Sequence, residues 1–208
     1  MLKVIRDTFF DILGITWPTL VIFLVILTII RLAYLINNHK RFQFYNEAML
    51  LLFITYILLM FELVTVKDIN VASGFNLTPF KEIFRYDIDS ALFIQQVLGN
   101  IIIFIPFGFF ASYYIKTKKY IYLLIVSLIS SGIIETVQYF IGRSFDIDDI
   151  ILNLVGATFG FLVYLILNSL KKHLPGFMQK DWFYNIIIVL FVGLLILYFT
   201  NYLDIWGI

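Results

Sequence analysis

The polar side chains inside otherwise apolar stretches of this sequence include Asn100, Glu135, Gln138 and Asn153. If these stretches cross a membrane, each ionisable side chain costs roughly 2.5–3.5 kcal/mol on insertion scales and needs a reason. Glu135 and Gln138 are three residues apart, so they share one helical face. Asn153 lies four residues after Asp149 and shares a face with it. Such groups can bind a polar ligand, transfer a proton or join helices by hydrogen bonds.

A short loop, residues 142–149, connects the segments that carry Glu135 and Asn153. It holds one cation and three carboxylates: Arg143, Asp146, Asp148 and Asp149. The guanidinium of Arg143 can pair with Glu135 or bind a phosphate or carboxylate of a ligand. Asp148 or Asp149 is expected to cap the helix that follows, since the helix dipole favours an acid at its N-terminus. The three aspartates could also bind Ca²⁺ or Mg²⁺, although their spacing is not that of an EF-hand.

The composition indicates that the elements positioning these residues are transmembrane helices. Hydrophobic residues make up 62% of the 208 and charged residues 14%, against roughly 45–50% and 25% in ordinary soluble domains. The mean hydropathy is +0.96. Apolar runs of about 20 residues predict six transmembrane helices at 17–36, 48–66, 91–115, 120–141, 150–170 and 185–203. We therefore predict an all-α polytopic membrane helix bundle that forms a single domain over residues 1–208.

The positions of Lys and Arg predict which side each loop faces, because cytoplasmic loops retain positive charge. The net charge is only +1, which does not suggest a nucleic-acid partner. The loops after the first, third and fifth runs hold nine cations and two acids: Arg31, Lys40, Arg41, Lys116, Lys118, Lys119, Lys171, Lys172, Lys180, Glu47 and Asp181. The remaining loops and the termini hold six cations and ten acids. Both termini and the loop at 142–149 are therefore predicted to face outward.

With this orientation, three helices place polar groups within about two turns of the outer surface. These groups should face one another, because lipid would not solvate them. The sequence predicts an outward-opening ligand pocket formed by Asn100, Glu135, Gln138, Arg143, Asp146, Asp149 and Asn153. The alternative is that they only join helices, at about 0.6 kcal/mol per hydrogen-bonded pair. A carboxylate beside several amides and an arginine exceeds what packing needs, so we favour the pocket.

Other features bear on the shape of this pocket. The loop at 67–90 is the longest and mixes aromatic and charged residues, as is typical of a lid. Gly156 and Gly160 form a GxxxG spacing that favours close helix packing. Pro106 can kink its helix. Residues 2–13 could form a short helix on the outer surface or a leader to the first span.

The order and spacing of these segments resemble the VanZ-like family of bacterial membrane proteins, which is associated with resistance to the lipoglycopeptide teicoplanin. The resemblance runs from about residue 76 to 165, in the pieces 76–80, 100–109, 135–138, 143–149 and 153–160. It implies a location in the bacterial plasma membrane and a role at the cell envelope. It does not assign a reaction.

Two functions fit these observations. The first is a non-enzymatic membrane protein that, besides membrane lipids, binds the lipoglycopeptide or a lipid-linked wall precursor and so contributes to teicoplanin resistance. The alternative is an intramembrane enzyme that modifies a lipid-linked envelope substrate, with Glu135 as general acid or base. The chain has no cysteine, and His39 and His173 are predicted to be cytoplasmic, which excludes thiol and serine–histidine catalysis at the pocket. A transporter would need an inverted repeat and polar groups at the midplane, and the sequence shows neither.

Overall fold

The computed structural model describes residues 2–40, 42–66, 74–87 and 90–206. Within these ranges, side-chain surroundings are described except at 2–16, 63–66, 91, 95, 192, 195–196 and 198–206. The helices are α1 (Leu2–Asn37), α2 (Phe44–Val66), α3 (Ala91–Phe93), α4 (Gly99–Ile115), α5 (Tyr120–Phe140), α6 (Ile147–His173) and α7 (Asp181–Trp206). A π-helical turn, Ile94–Leu98, joins α3 to α4, and a 3-10 turn, Ile83–Arg85, precedes them.

Five helices of the described part are long and apolar enough to cross a membrane. These stretches are Trp17–Asn37, Phe44–Glu62, Gln96–Ile115, Tyr120–Phe140 and Ile147–His173. The sixth predicted span, 185–203, lies within α7, where the shorter apolar stretch Asp181–Phe191 is described. The prediction of an all-α polytopic membrane bundle is therefore confirmed; five of the six predicted spans fall on such helices, and the sixth lies in α7, partly outside the residues whose side chains are described.

α4 and α6 form the closest helix pair, because glycines remove side chains where the two backbones meet. A Cβ atom on Gly156 would overlap the carbonyl oxygen of Ile101, and one on Gly160 would overlap that of Ile105. On α4, a Cβ atom on Gly108 would overlap the backbone of α6. The predicted packing role of the GxxxG spacing is therefore confirmed. An apolar core surrounds this contact and consists of Met60, Phe104, Phe107, Ala111, Leu123, Ala157 and Phe161.

α1 and α2 form a hairpin that contacts the other helices mainly through α2. The helix of α1 is continuous from Leu2 through Pro18, as expected for a leader to the first span. The side chains of 2–13 lie outside the description. Near the turn of the hairpin, Arg31 forms an ion pair with Glu47. Both residues belong to the predicted cytoplasmic set, so the pair joins two charges on the same side of the bundle.

Two short strands hold the loop 74–87 against the start of α6. β1 (Phe75–Asn76) pairs in parallel with β2 (Phe145–Asp146), with Phe75 opposite Phe145 and Asn76 opposite Asp146. The amide of Phe145 also donates to the carbonyl of Gly74 at 2.9 Å. The chain reaches β2 through Gly142, whose positive φ of 92° is accessible to glycine without steric cost. The loop is thus held beside the residues predicted to form the pocket.

Candidate functional site

One face of α5 carries a row of buried polar side chains. Ser127, Ser131, Glu135 and Gln138 follow one another at helical spacing, and all four are buried. Glu135 is only 1% exposed. This row supplies the first half of the candidate site, which also includes the start of α6 and the loop 74–87.

Hydrogen bonds surround the Glu135 carboxylate. The backbone N–H of Asp146 donates to Glu135 Oε2 at 3.0 Å. With its amide nitrogen oriented toward Glu135, Gln138 donates to Oε1 at 2.9 Å. The amide oxygen of Gln138 then accepts from Arg143 Nη1 at 2.6 Å. Gln138 thus lies between Arg143 and Glu135 and links the two by hydrogen bonds.

Two amide side chains connect the neighbouring helices. Asn153 of α6 donates to Ser131 Oγ of α5 at 2.9 Å, one turn deeper than Glu135. Asn100 of α4 donates to Asp149 Oδ1 of α6 at 2.5 Å. Asp149 and Asn153 are four residues apart on one face of α6, so the two pairs lie at the same end of the bundle.

Asp146 lies at the centre of the connection between loop and helix. Its carboxylate accepts from the backbone N–H of Asp148 at 2.8 Å and caps the N-terminus of α6. The same oxygen, Oδ1, accepts from the Asn76 amide at 2.9 Å. Burial raises the pKa of the Asp146 carboxyl, and these two donors oppose that rise. The prediction that Asp148 or Asp149 is the capping residue is wrong, because Asp146 precedes the first helical residue and is the one that can reach the free N–H groups.

Asp148 instead holds the loop 74–87. Its side chain is 1% exposed and accepts backbone N–H groups from Phe80 at 2.5 Å, Glu82 at 2.7 Å and Ile83 at 3.3 Å. The loop thus covers the polar region, as expected of a lid. The part of this predicted lid at 67–73 and 88–89 lies outside the described residues.

The structure brings all seven predicted site residues into this region, but their exposure differs. Glu135, Gln138, Asp146 and Asn153 are buried, whereas Asn100, Arg143 and Asp149 are half-buried at the rim. The arrangement is a polar cluster that the loop 74–87 partly covers and whose rim stays partly exposed. We call these seven residues the polar cluster.

Sequence reasoning missed three contributors: Asn76, Ser127 and Ser131. The two serines precede Glu135 by eight and four residues, and this spacing was a usable signal. No comparable signal pointed to Asn76, because its partner Asp146 is 70 residues away.

Within the described ranges, no three His, Cys, Asp or Glu side chains lie close enough together to hold a metal ion. The three aspartates of the loop point to different partners: Asp146 to Asn76 and the α6 N-terminus, Asp148 to the loop amides and Asp149 to Asn100.

The fold and the cluster define a multi-pass helical membrane protein with a covered polar region at one end of the bundle. The family model VanZ/LLP1 matches residues 18–168, and the chain belongs to this family. The match extends the resemblance of 76–165 to the first two spans, which we had placed outside it. No curated protein and no solved structure matches the chain.

Proposed function

We propose that this protein acts at the bacterial cell envelope, in the plasma membrane, by binding an amphiphilic ligand at the polar cluster. The ligand class is a lipoglycopeptide such as teicoplanin or a lipid-linked wall precursor, and binding contributes to lipoglycopeptide resistance. The observation that carries the proposal is the buried carboxylate of Glu135, which amide and guanidinium groups surround beneath a tethered loop. Such a group of donors and acceptors suits a ligand with several polar groups.

The outer surface of the loop supports an amphiphilic ligand. Phe75, Leu77, Phe80 and Phe84 are all more than half exposed, and Phe84 is 82% exposed. Exposed apolar patches of this kind mark membrane or ligand contacts. Apolar parts of a ligand would bind these side chains, while its polar groups would meet Arg143, Asp149 and Asn100 at the rim.

A susceptibility assay tests this proposal. Expression in a teicoplanin-sensitive host is expected to raise the inhibitory concentration of teicoplanin, and Arg143→Gln is expected to reverse most of that rise. Arg85→Gln is the matched control, because Arg85 is an exposed arginine of the loop 74–87 that forms an ion pair with Glu82 three residues away. Unchanged sensitivity with wild-type protein that is folded in the membrane would contradict the resistance role.

The burial of Glu135 also favours the second candidate, an intramembrane enzyme in which this residue is the general acid or base. Serine–histidine catalysis is excluded because both histidines of the chain are exposed and distant. His173 ends α6, about 40 Å from its start at 1.5 Å per residue. His39 follows α1 near Gln43, which bonds Asp181 beyond that same end of α6.

Glu135→Gln distinguishes the two candidates, because glutamine keeps the shape and one acceptor of glutamate but cannot exchange a proton. A binding protein is expected to retain part of the resistance, whereas an enzyme is expected to lose nearly all turnover of a lipid-linked substrate. Arg85→Gln again serves as the control for expression and folding.

A further inference from the structure

A cavity lies between α1 and α2, in the hairpin outside the polar cluster. Its volume is about 720 Å³, and aliphatic side chains such as Leu24, Leu27, Leu51 and Ile54 form most of its lining. This volume falls within the range of roughly 300–1,000 Å³ that is typical of ligand sites. The cavity is therefore large enough for a flexible apolar chain.

The length of the cavity matches one leaflet of a bilayer. Its lining runs from Leu24 to Leu35 on α1 and from Phe44 to Thr55 on α2. At 1.5 Å per residue this is roughly 16 Å, about half of the ~30 Å hydrocarbon thickness. An acyl chain of a single leaflet would fill that depth.

Charged groups stand at the turn end of this cavity. Arg31 Nε and Nη2 bond the Glu47 carboxylate at 2.8 and 3.1 Å, and the Arg31 side chain remains 41% exposed. The ring of Tyr34 lies 5.4 Å from Arg31 Cζ and 5.0 Å from Lys40 Nζ, and its hydroxyl accepts from Lys40 at 2.9 Å. Two cations and one carboxylate thus lie near the mouth of the cavity, so its net charge is positive.

The depth of Arg31 in the membrane suits contact with a lipid phosphate. Arg31 lies six residues before the end of α1, or roughly 9 Å from it, and a long cationic side chain there reaches the headgroup level. Glu47 orients the guanidinium through Nε and Nη2, and Nη1 takes no part in that pair. A guanidinium fork suits phosphate geometry.

We propose that the groove between α1 and α2 binds one anionic glycerophospholipid, with an acyl chain in the cavity and the phosphate on Arg31 and Lys40. The lipid comes from the leaflet that the charge pattern predicts to be cytoplasmic. This site lies at the opposite end of the bundle from the polar cluster and does not depend on the proposed function.

Native mass spectrometry of the delipidated full-length protein tests the proposal, with phosphatidylglycerol and phosphatidylcholine of identical chains as the two probes. Wild type is expected to retain one phosphatidylglycerol at concentrations where phosphatidylcholine dissociates. Arg31→Gln with Glu47→Gln removes the cation without leaving an unpaired acid, and Lys40→Gln changes an exposed residue. Lys40→Gln is expected to weaken phosphatidylglycerol binding about fivefold, as for one cation near an anionic lipid surface. The double variant leaves the net charge unchanged and is expected to weaken binding through the loss of the guanidinium that holds the phosphate.

A groove-filling variant and matched controls complete the test. Ala48→Trp fills the cavity and is expected to abolish the bound lipid, whereas Ile125→Trp, on a lipid-facing position of α5, is expected to have no effect. Lys118→Gln removes a cation from another loop of the same predicted side. Equal weakening by Lys118→Gln, retention of the lipid by Ala48→Trp, or equal binding of phosphatidylcholine would each overturn the proposal.

Discussion

At the residue scale, the cost of burying charge explains the hydrogen bonds of the polar cluster. Glu135 and Asp148 are each 1% exposed, and an unpaired buried carboxylate would cost several kcal/mol. Hydrogen bonds offset this cost. The Asp146 N–H and the Gln138 amide donate to Glu135, and three loop amides donate to Asp148. The two carboxylates thus connect α5 and the loop to the start of α6.

Replacement of Asp148 should detach the loop. In Asp148→Ala, three N–H groups lose a charged acceptor, and a hydrogen bond to a charged group contributes about 1.5–3 kcal/mol. We expect the free energy of unfolding in detergent to fall by about 3 kcal/mol or more, and the amides of Phe80, Glu82 and Ile83 to exchange faster. Asp87→Ala, at an exposed position, should change stability by less than about 0.5 kcal/mol. Similar losses in both variants would show that Asp148 does not hold the loop.

Replacement of the two buried serines of α5 by alanine should change the stability of the protein differently. Both are fully buried, but Ser131 accepts from Asn153, whereas Ser127 Oγ has no hydrogen-bond partner among the described atoms. Ser131→Ala is expected to destabilise the protein by about 0.6–1.7 kcal/mol, the range for such pairs in membranes. Ser127→Ala removes an unsatisfied hydroxyl and should be neutral or stabilising. Unfolding in mixed micelles measures both, and a loss for Ser127→Ala as large as that for Ser131→Ala would contradict the assignment.

At the element scale, the close approach of α4 and α6 determines where the polar groups of these helices lie. Gly108, Gly156 and Gly160 let the backbones meet, and this contact sets the position of Asn100 relative to Asp149. The start of α6 carries the acids and its last turn carries Lys171, Lys172 and His173, an arrangement that complements the helix dipole. Packing and electrostatics therefore favour the same placement of α6.

A methyl group at Gly156 should separate these helices. Its Cβ would overlap the Ile101 carbonyl oxygen and approach the Cβ of Phe104 to 3.0 Å. We expect Gly156→Ala to cost about 1–3 kcal/mol of unfolding free energy, as overpacking does. Gly132→Ala on α5 has open space around the added methyl and should be neutral or stabilising by up to ~1 kcal/mol. Thermal unfolding in detergent compares the two, and equal stability of both variants would argue against the tight α4–α6 contact.

At the scale of the whole molecule, charged groups concentrate at opposite ends of the bundle. The polar cluster lies where α5 ends and α6 begins, and the Arg31–Glu47 pair lies at the hairpin of α1 and α2. The positive-inside pattern predicts that the first faces outward and the second faces the cytoplasm. Both ligand proposals use this orientation.

Cysteine labelling tests the orientation in a chain that has no native cysteine. Ser144→Cys is expected to react with a membrane-impermeant maleimide added to intact cells. Lys118→Cys, in the exposed loop between α4 and α5, is expected to react only after the membrane is opened. Labelling of Lys118→Cys but not Ser144→Cys in intact cells would reverse the topology and move the polar cluster to the cytoplasmic side.

Much of the fold followed from the sequence, because hydrophobicity is a property of consecutive residues. The apolar runs predicted the helices, and the polar residues within those runs predicted which side chains meet. The capping role that we predicted for Asp148 or Asp149 was wrong. Asp148 instead accepts amides of a loop more than 60 residues away, which no local pattern could place. The sixth predicted span extends beyond the part of α7 whose side chains are described, so that prediction stays open.

The sequence alone determined the class of protein, the predicted orientation and the membership of the polar cluster, since lipid excludes charge wherever it is not paired. Only the tertiary structure decided that the cluster is covered. That outcome depends on the parallel pairing of Phe75 with Phe145 and on the loop amides that reach Asp148. These are contacts between distant backbones, and their geometry exists only once α4, α5 and α6 have packed.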